Sequence, residues 1–271
     1  MTGAFDTHCH IQDPKLIDGF DGLIERARLA GVEGMALCGY DAASNELALE
    51  LAARSPLLFP AVGFHPHEAD DVTSAMLTEL ESQAALPEVV AIGEIGLDSY
   101  RNLSSAANQR KLLDAQLEIA LRVGKPVCVH SRSAEAVIYE HLGPYASRAR
   151  ASGMAVPGVM HCFGGTFEQA QPYLEAGFVV SVSCTVTYPK NDTTQRLAQL
   201  VPLDSLVIET DSPYLPPQVK RGKLNEPANV VEAARAVAAL RQLSLEEVLE
   251  ATTRNAERLF GLRVAKPVGA A

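Results

Sequence analysis

The sequence contains no tryptophan, and only 6% of its 271 residues are aromatic. Any surface for stacking flat rings is therefore small. No stretch approaches the roughly 20 consecutive apolar residues that a helix needs to span a bilayer. The first residues also lack the basic start and apolar stretch of a secretory signal. We therefore expect no membrane contact and a cytoplasmic location.

Cysteine is scarce and scattered. The five cysteines form no C-x-x-C pair, and their number is odd. This pattern indicates neither a disulfide framework nor a zinc site built on cysteine. We expect buried free thiols at these positions, which are Cys9, Cys38, Cys128, Cys162 and Cys184.

Positive charge is also in short supply. Lysine and arginine number 23 against 33 aspartates and glutamates, and the formal net charge is -10. A protein that holds nucleic acid on a basic surface needs clustered lysine and arginine, so this class is disfavoured. A nuclease is not excluded, because bound divalent cations can invert the electrostatics of a site. Its binding of long nucleic acids should be modest and sensitive to salt.

What the sequence does contain is a repeated succession of a β-rich run, a polar turn and a helical segment. Thr166-x-x-Gln169 and Ser244-x-x-Glu247 are typical of capping boxes that open helices. The pattern predicts an α/β protein with a (β/α)8 TIM barrel as a single domain over 1–263, and a short flexible tail over 264–271. The seventh unit has the weakest pattern, since 185–192 is loop-like. The predicted strands are 4–10, 34–40, 59–67, 89–97, 126–130, 158–163, 178–183 and 206–211.

Potential metal ligands gather where these predicted strands end, which is where barrel enzymes place their sites. The alternation of a strand puts His8 and His10 on one face. An H-x-H pair alone is more often structural than ligating. Together with the other strand ends, however, it makes a set that chance and packing explain poorly. The additional candidates are Glu94, His130, His161 and Asp211.

Six such side chains exceed what one tetrahedral site takes, so the set predicts two divalent ions. We assign Glu94 as the bridge between them. His8, His10 and Asp211 would complete one site, and His130 with His161 the other. A carboxylated lysine is the alternative bridge, but Lys125 begins a strand and so lies at the wrong rim. These ligands suit Zn, Mn or a weakly held Mg alike.

The motifs carry a family resemblance when they are taken in order. The runs D-T-H-C-H, G-F-H-P-H, G-E-I-G-L-D, V-H-S-R, H-C-F-G-G, E-T-D-S-P-Y-L and N-E-P resemble those of the TatD family of metal-dependent deoxyribonucleases. The resemblance implies a barrel, a divalent-metal site and hydrolysis of DNA, often from the 3′ end of single strands and sometimes of RNA. It also implies the same six ligands. Ser99 and the first glycine of H-C-F-G-G, Gly164, depart from the usual pattern, which bears on substrate preference rather than on catalysis.

Several residues next to the ligands have candidate roles. Asp211 is our candidate general base as well as a ligand. Glu209 would orient a ligating histidine or form a plain buried ion pair. His65 would contact the scissile phosphate or the leaving oxygen, or else be a structural turn residue. We expect His67 to belong to a loop and His141 to have no function.

Substrate contacts are expected from basic and aromatic residues at the strand ends. Arg132 and, more weakly, Arg221 would bind phosphate, and a solvated surface arginine is the alternative for both. Tyr100, Phe163 and Tyr214 would stack on unpaired bases. Cys128 should be an ordinary packed thiol.

Three functions are compatible with this reading. The first is a monomeric divalent-metal nuclease, a 3′–5′ exonuclease on single-stranded DNA that uses a water activated by two metals, with RNA as a further substrate. The second is a metal-dependent hydrolase of a small amide, lactone or phosphate ester on the same barrel. The third is a silent metal-binding scaffold, against which the complete ligand set argues. A basic rim favours the first, and an apolar pocket the second.

Overall fold

The computed structural model describes residues 3–262. Over this range the chain forms eight parallel strands in one sheet, whose spatial order follows the order along the chain. The predicted α/β class and eight-stranded barrel are therefore confirmed. The tail expected over 264–271 lies outside the described residues. The strands are β1 (Ala4–Cys9), β2 (Val32–Cys38), β3 (Leu58–Val62), β4 (Ala91–Asp98), β5 (Val127–Arg132), β6 (Gly158–Met160), β7 (Val179–Ser183) and β8 (Leu206–Glu209).

Each strand is followed by an α-helix, and a second helix follows β8. The predicted capping boxes open α6 and α9, because Thr166 and Ser244 each accept the amide of the residue three positions later. Within the described part of the chain, no helix is both long and apolar enough to cross a membrane. The helices are α1 (Phe20–Leu29), α2 (Ala42–Ala52), α3 (Ser74–Ala84), α4 (Ala106–Val123), α5 (Glu135–Ala151), α6 (Phe167–Ala176), α7 (Asp192–Leu200), α8 (Val230–Arg241) and α9 (Leu245–Phe260).

The barrel closes through backbone hydrogen bonds just beyond the ends of β8 and β1. The amide of Asp211 donates to the carbonyl of His8 over 2.9 Å, and the amide of His10 donates to the carbonyl of Ser212 over 2.8 Å. A parallel bridge joins Cys9 to Ser212 between these bonds. Closure therefore fixes three of the predicted ligands relative to one another.

The core has two layers. The larger lies between the strands and the helices, and the smaller fills the barrel, where small side chains pack above the stacked rings of Phe5 and Phe59. Four of the five cysteines are buried free thiols as predicted, and Cys162 is partly buried. Cys128 is one of the small interior side chains, together with Ala36, Cys38, Ala61 and Ala91.

Two strands change register at the predicted ligands. The pairing of β1 with β2 shifts around His8, and the pairing of β4 with β5 shifts around Glu94. A β-bulge of this kind redirects a side chain relative to simple alternation. The close approach of β5 beyond the second bulge needs Gly96, whose φ is +152° and whose added Cβ would lie 1.9 Å from the carbonyl oxygen of His130.

The observed elements differ from the predicted ones at their ends. β6 ends at Met160 and β8 at Glu209, so His161 and Asp211 lie in the loops beyond. Asp211 takes a positive φ of 55° there, a conformation that aspartate tolerates better than most residues. The loop-like segment of the seventh unit contains a 3-10 helix, Cys184–Thr187, ahead of α7.

Candidate metal centre

The predicted ligands meet at the C-terminal rim of the barrel around the carboxylate of Glu94. Its Oε2 lies 3.4 Å from His8 Nε2 and 3.5 Å from His10 Nε2. Its Oε1 lies 2.9 Å from His130 Nδ1 and 3.3 Å from His161 Nε2. Each oxygen of Glu94 thus faces a different pair of the predicted imidazole ligands, as in a carboxylate that bridges two cations.

Asp211 completes one side of this arrangement, since its Oδ1 lies 3.6 Å from His10 Nε2. Three overlapping triplets have ligand atoms within 4.8 Å of one another, and two of them contain only predicted ligands. The third joins His65 to Glu94 and His130. We call the six predicted ligands the ligand cluster: His8, His10, Glu94, His130, His161 and Asp211.

The outer nitrogens of two rings have acceptors that fix the position of the proton. His10 Nδ1 lies 2.8 Å from the carbonyl oxygen of Cys38, and His161 Nδ1 lies 3.0 Å from Glu209 Oε1. An imidazole that donates from Nδ1 presents a lone pair at Nε2 in its neutral form. Both lone pairs point at the Glu94 carboxylate, so only a proton or a cation between them satisfies the contact. Glu209 therefore holds a ring of the cluster, as one of its two predicted roles requires.

The rings of His8 and His10 also need a proton or a cation between their facing nitrogens. Their Nε2 atoms face each other over 3.0 Å, and both also lie near Glu94. His8 Nδ1 is buried without a hydrogen-bond partner among the described residues. A divalent cation coordinated by both rings would satisfy the facing nitrogens and the carboxylate together, so the residues present fit a metal ion.

The charges of the cluster favour a cation. Burial raises the pKa of Glu94, but electrostatic interactions with the rings of His65 and His161 and a hydrogen bond from His130 outweigh it and hold that pKa well below its usual range. Burial lowers the pKa of His161, but the charges of Glu209 and Glu94 outweigh it and raise that pKa well above the usual value. The carboxylate of Glu94 therefore stays ionised, and the position of the His161 ring favours a positive charge.

Three other members of the ligand cluster also have shifted pKa values. Burial raises the pKa of Asp211, but the hydrogen bond with His10 and the charge of His161 make the net shift downward. For His10, burial lowers the pKa and the hydrogen bond to Asp211 raises it, with a net upward shift. Burial, aided by the charge of His161, lowers the pKa of His8, which keeps that ring neutral and able to ligate.

His65 differs from the ligand cluster in its protonation. Its Nδ1 accepts the backbone amide of His67 over 3.2 Å, so the neutral ring carries its proton on Nε2. That Nε2 lies 3.6 Å from Glu94 Oε1. Burial lowers the pKa of His65 to about 3, so the ring is a neutral donor aimed at the centre. A protonated nitrogen cannot bind a metal, which separates His65 from the ligands despite its proximity.

Sequence reasoning missed two aspartates around the cluster. Asp98 is buried and contacts the rings of His67 and His130, so His67 is not merely part of a loop. Asp6 is buried too, and it accepts the amide and the hydroxyl of Thr210 over 2.8 and 2.6 Å. Both aspartates belong to the motifs of the sequence, and their position in those motifs was the available signal.

A cleft of about 1000 Å³ opens above the ligand cluster. Three basic side chains line it within the described residues, and they come from different strand ends: Lys15 after β1, Arg101 after β4, and Arg132 at the end of β5. Glu68 and Glu135 line it as well. The cleft is therefore lined by charged groups of both signs.

Aromatic rings support two of these cations. The ammonium of Lys15 lies 4.6 Å from the ring centroid of Tyr214, and the guanidinium of Arg132 lies 4.2 Å from that of Tyr100. The Tyr214 hydroxyl donates to Asp13 over 3.0 Å, and its ring is 46% exposed at the cleft. Tyr214 and Arg132 thus stand where substrate contacts were predicted, whereas Tyr100 supports Arg132 from outside the cleft.

Other predicted contacts are not brought to the cleft. Arg221 does not line it and instead lies 4.5 Å above the ring of Tyr188. Phe163 is only 3% exposed, so its ring packs in the core and cannot stack on a base. His141 pairs with Asp114 between α4 and α5 and does not line the cleft.

The chain is similar to known proteins that are described as DNases and metal-dependent hydrolases. A family profile described as "TatD related DNase" matches residues 5–261. The Bacillus subtilis protein named "Uncharacterized metal-dependent hydrolase YabD" is 34% identical, with 94% of this chain and 98% of that protein covered. The Citrobacter rodentium protein named "3'-5' ssDNA/RNA exonuclease TatD" is also 34% identical, with coverages of 95% and 98%.

A solved structure shows the same fold. The crystal structure of YjjV, a TatD homologue from Escherichia coli K12, superposes with a TM-score of 0.88 at 31% identity and covers 96% of this chain and 98% of its own. The family match and these relatives extend over nearly the whole chain. The chain therefore belongs to the family of TatD related DNases, which are metal-dependent hydrolases acting on ester bonds.

Proposed function

We propose that this protein hydrolyses the phosphodiester bonds of single-stranded DNA from the 3′ end with two divalent metal ions. The observation that carries the proposal is the placement of Glu94 with each carboxylate oxygen against a separate pair of imidazoles. His8, His10 and Asp211 would hold one ion, and His130 and His161 the other. The name of the Citrobacter rodentium relative supports the polarity and adds RNA as a second substrate.

The residues then have separate tasks. Divalent cations bound in these positions would activate a water for attack on phosphorus and neutralise the phosphate. Asp211, whose carboxylate lies beside His10 at the rim, accepts the proton of the attacking water. His65 donates a hydrogen bond from Nε2 to the scissile phosphate or to the leaving oxygen.

The cleft supports an anionic substrate of limited length. Lys15, Arg101 and Arg132 provide positive charge on opposite sides of the ligand cluster, and the exposed ring of Tyr214 offers a surface for a terminal base. A neutral amide or lactone would leave these three cations without a partner, which disfavours a small-molecule hydrolase. We propose that the protein acts as a monomer on one strand end at a time.

Digestion of 5′-labelled single-stranded DNA by metal-stripped protein, with Mg²⁺, Mn²⁺ or Zn²⁺ added back, tests the proposal. We expect a ladder of progressively shorter labelled products that requires metal and disappears in Glu94→Gln. Glu118→Gln is the matched control, because Glu118 is a half-buried glutamate that pairs with Arg148 away from the cleft. Immediate release of the labelled nucleotide would show that the protein degrades DNA from the 5′ end instead. A protein that binds two ions but cleaves neither DNA nor RNA would instead be a small-molecule hydrolase.

A further inference from the structure

We infer that Asp98 is a positioning residue that fixes the ring of His130 and the segment carrying His65 in one geometry. Asp98 ends β4, four residues after Glu94, and is 1% exposed. It is not a member of the ligand cluster. The inference rests on the proposed function in one respect, namely that His130 is a metal ligand.

The hydrogen bonds of Asp98 exclude the simpler interpretation that it binds a metal itself. Its Oδ1 accepts the amides of Tyr100 and Arg101, each over 2.8 Å. Its Oδ2 lies 2.9 Å from His67 Nε2 and 3.3 Å from His130 Nε2. A carboxylate has about four lone-pair sites. All four are used by protein donors, so no site remains for a cation.

The contact with His130 decides which nitrogen of that ring can ligate. An ionised Asp98 can only accept, so His130 Nε2 must carry the proton. The lone pair is then on Nδ1, the atom that lies 2.9 Å from Glu94 Oε1. Asp98 therefore turns the ring so that it presents Nδ1 to the centre, whereas His10 and His161 present Nε2.

The contact with His67 also fixes the segment that carries His65, on the other side of Glu94. The His67 ring donates to Asp98, and the His67 amide donates to His65 Nδ1 over 3.2 Å. The hydroxyl of Ser104 donates to the His67 carbonyl over 2.6 Å and secures the segment from behind. Removing the acceptor at Asp98 would free both the ligating ring and the ring that donates toward the substrate.

The substitution Asp98→Asn tests this arrangement in the full chain. The new amide group keeps one oxygen for the backbone amides but places N–H groups where the two imidazoles donate, so both rings lose their acceptor. Loss of such a partner of a ligating histidine typically weakens metal binding about 10–100-fold. Titration of metal-stripped protein with Mn²⁺ and with Zn²⁺ should show one ion weakened by that factor and the other unchanged.

Two further variants make the titration decisive. Asp114→Asn breaks another aspartate–histidine pair, that with His141, and should leave both affinities unchanged. His130→Ala should weaken the same ion as Asp98→Asn. If His130→Ala weakens one ion and Asp98→Asn weakens neither, the inference is overturned while the proposed metal centre stands. If His130→Ala also has no effect, the proposed centre itself fails, and the inference falls with it.

A measurement on the unsubstituted protein guards against a variant that does not fold. Nitrogen NMR of ¹⁵N-histidine-labelled, Zn²⁺-loaded protein should show His130 protonated at Nε2 and bound through Nδ1, with the opposite assignment for His10 and His161. Binding of His130 through Nε2 would be incompatible with a hydrogen bond to Asp98 and would overturn the inference.

Discussion

At the scale of single residues, the role of each histidine follows from the partner of its second nitrogen. His10 and His161 donate from Nδ1 to a carbonyl and a carboxylate, and this leaves Nε2 free to ligate. His65 accepts a backbone amide at Nδ1, which leaves a proton on Nε2 and makes the ring a donor. Residue type alone therefore cannot assign these roles, because the assignment lies in the contacts behind each ring.

His65→Ala should lower kcat without removing metal. Loss of one preorganised donor to a developing negative charge typically lowers kcat by about 10²–10³. His65 presents no lone pair to the cluster, so both ions should remain bound with their original affinities. Steady-state kinetics on a short single strand together with metal analysis of the purified variant would check this. Loss of one equivalent of metal would show that His65 is a ligand instead.

Asp6→Asn should change how the stability of the metal-stripped protein depends on pH. Burial raises the pKa of Asp6 to about 8, although the hydrogen bonds with Thr210 lower it. In the unfolded chain this carboxyl titrates near pH 4, so the folded state binds the extra proton between those values. The favourable contribution of Asp6 is complete below about pH 4 and is lost as the pH rises toward 8.

Urea unfolding at pH 5, 6.5 and 8 would measure this difference. The free energy of unfolding of Asp6→Asn should rise relative to that of the unsubstituted protein by a few kcal/mol over this range. Asp18→Asn, which alters an exposed carboxylate just ahead of α1, is the control. A difference between Asp6→Asn and the unsubstituted protein that stays constant with pH would mean that Asp6 is ionised when buried.

At the scale of the elements, the periodicity of the sequence was sufficient to predict the barrel. It was not sufficient to predict the register of the strands at the rim. The alternating and helical patterns predicted eight strand–helix units, and the capping boxes placed the starts of α6 and α9 correctly. Register is a property of two paired strands, so the bulges around His8 and Glu94 could not be predicted from either strand alone.

The same limit explains why Asp98 was missed and Phe163 misassigned. Asp98 acquires its role from donors on two other segments, His67 beyond β3 and His130 in β5, which only the folded chain brings together. Phe163 lies next to a ligand in sequence, but β6 ends at Met160, and the chain then turns that ring into the core. Proximity in sequence is therefore a poor guide once a strand has ended.

Gly96→Ala should be strongly destabilising because it affects the junction of β4 and β5. The added methyl would lie 1.9 Å from the His130 carbonyl oxygen, and the φ of +152° is strained for any residue with a Cβ. Gly124→Ala is the matched control, since Gly124 also has a positive φ, of +70°, but its methyl would meet nothing within 4 Å.

We expect Gly124→Ala to cost about 1 kcal/mol of unfolding free energy and Gly96→Ala about 3 kcal/mol or more. Gly96→Ala should also weaken binding of the ion held by His130, because the backbone of that residue must move. Denaturant unfolding and metal titration of both variants would measure these effects. Equal destabilisation by the two substitutions would show that the β4–β5 contact does not position the ligand.

At the scale of the whole molecule, charge is divided between the surface and the cleft. The formal net charge is -10, yet Lys15, Arg101 and Arg132 line the cleft above the ligand cluster. A long polyanion would therefore meet repulsion over much of the surface, and the three cations of the cleft offer it a local point of attachment. This distribution suits the capture of a strand end better than binding along an internal stretch.

The salt dependence of binding should reveal this small number of contacts. For single strands, the slope of the logarithm of the association constant against the logarithm of salt concentration is about -0.7 for each phosphate neutralised. Contacts from Lys15, Arg101 and Arg132 would limit this slope to about -2 for a short single strand with hydrolysis-resistant linkages. Lys15→Ala should make the slope shallower by about 0.7, whereas Lys111→Ala, on the exposed face of α4, should leave it unchanged. A much steeper slope that increases with strand length would mean that the DNA follows a path over the surface, and binding at the strand end alone would then be wrong.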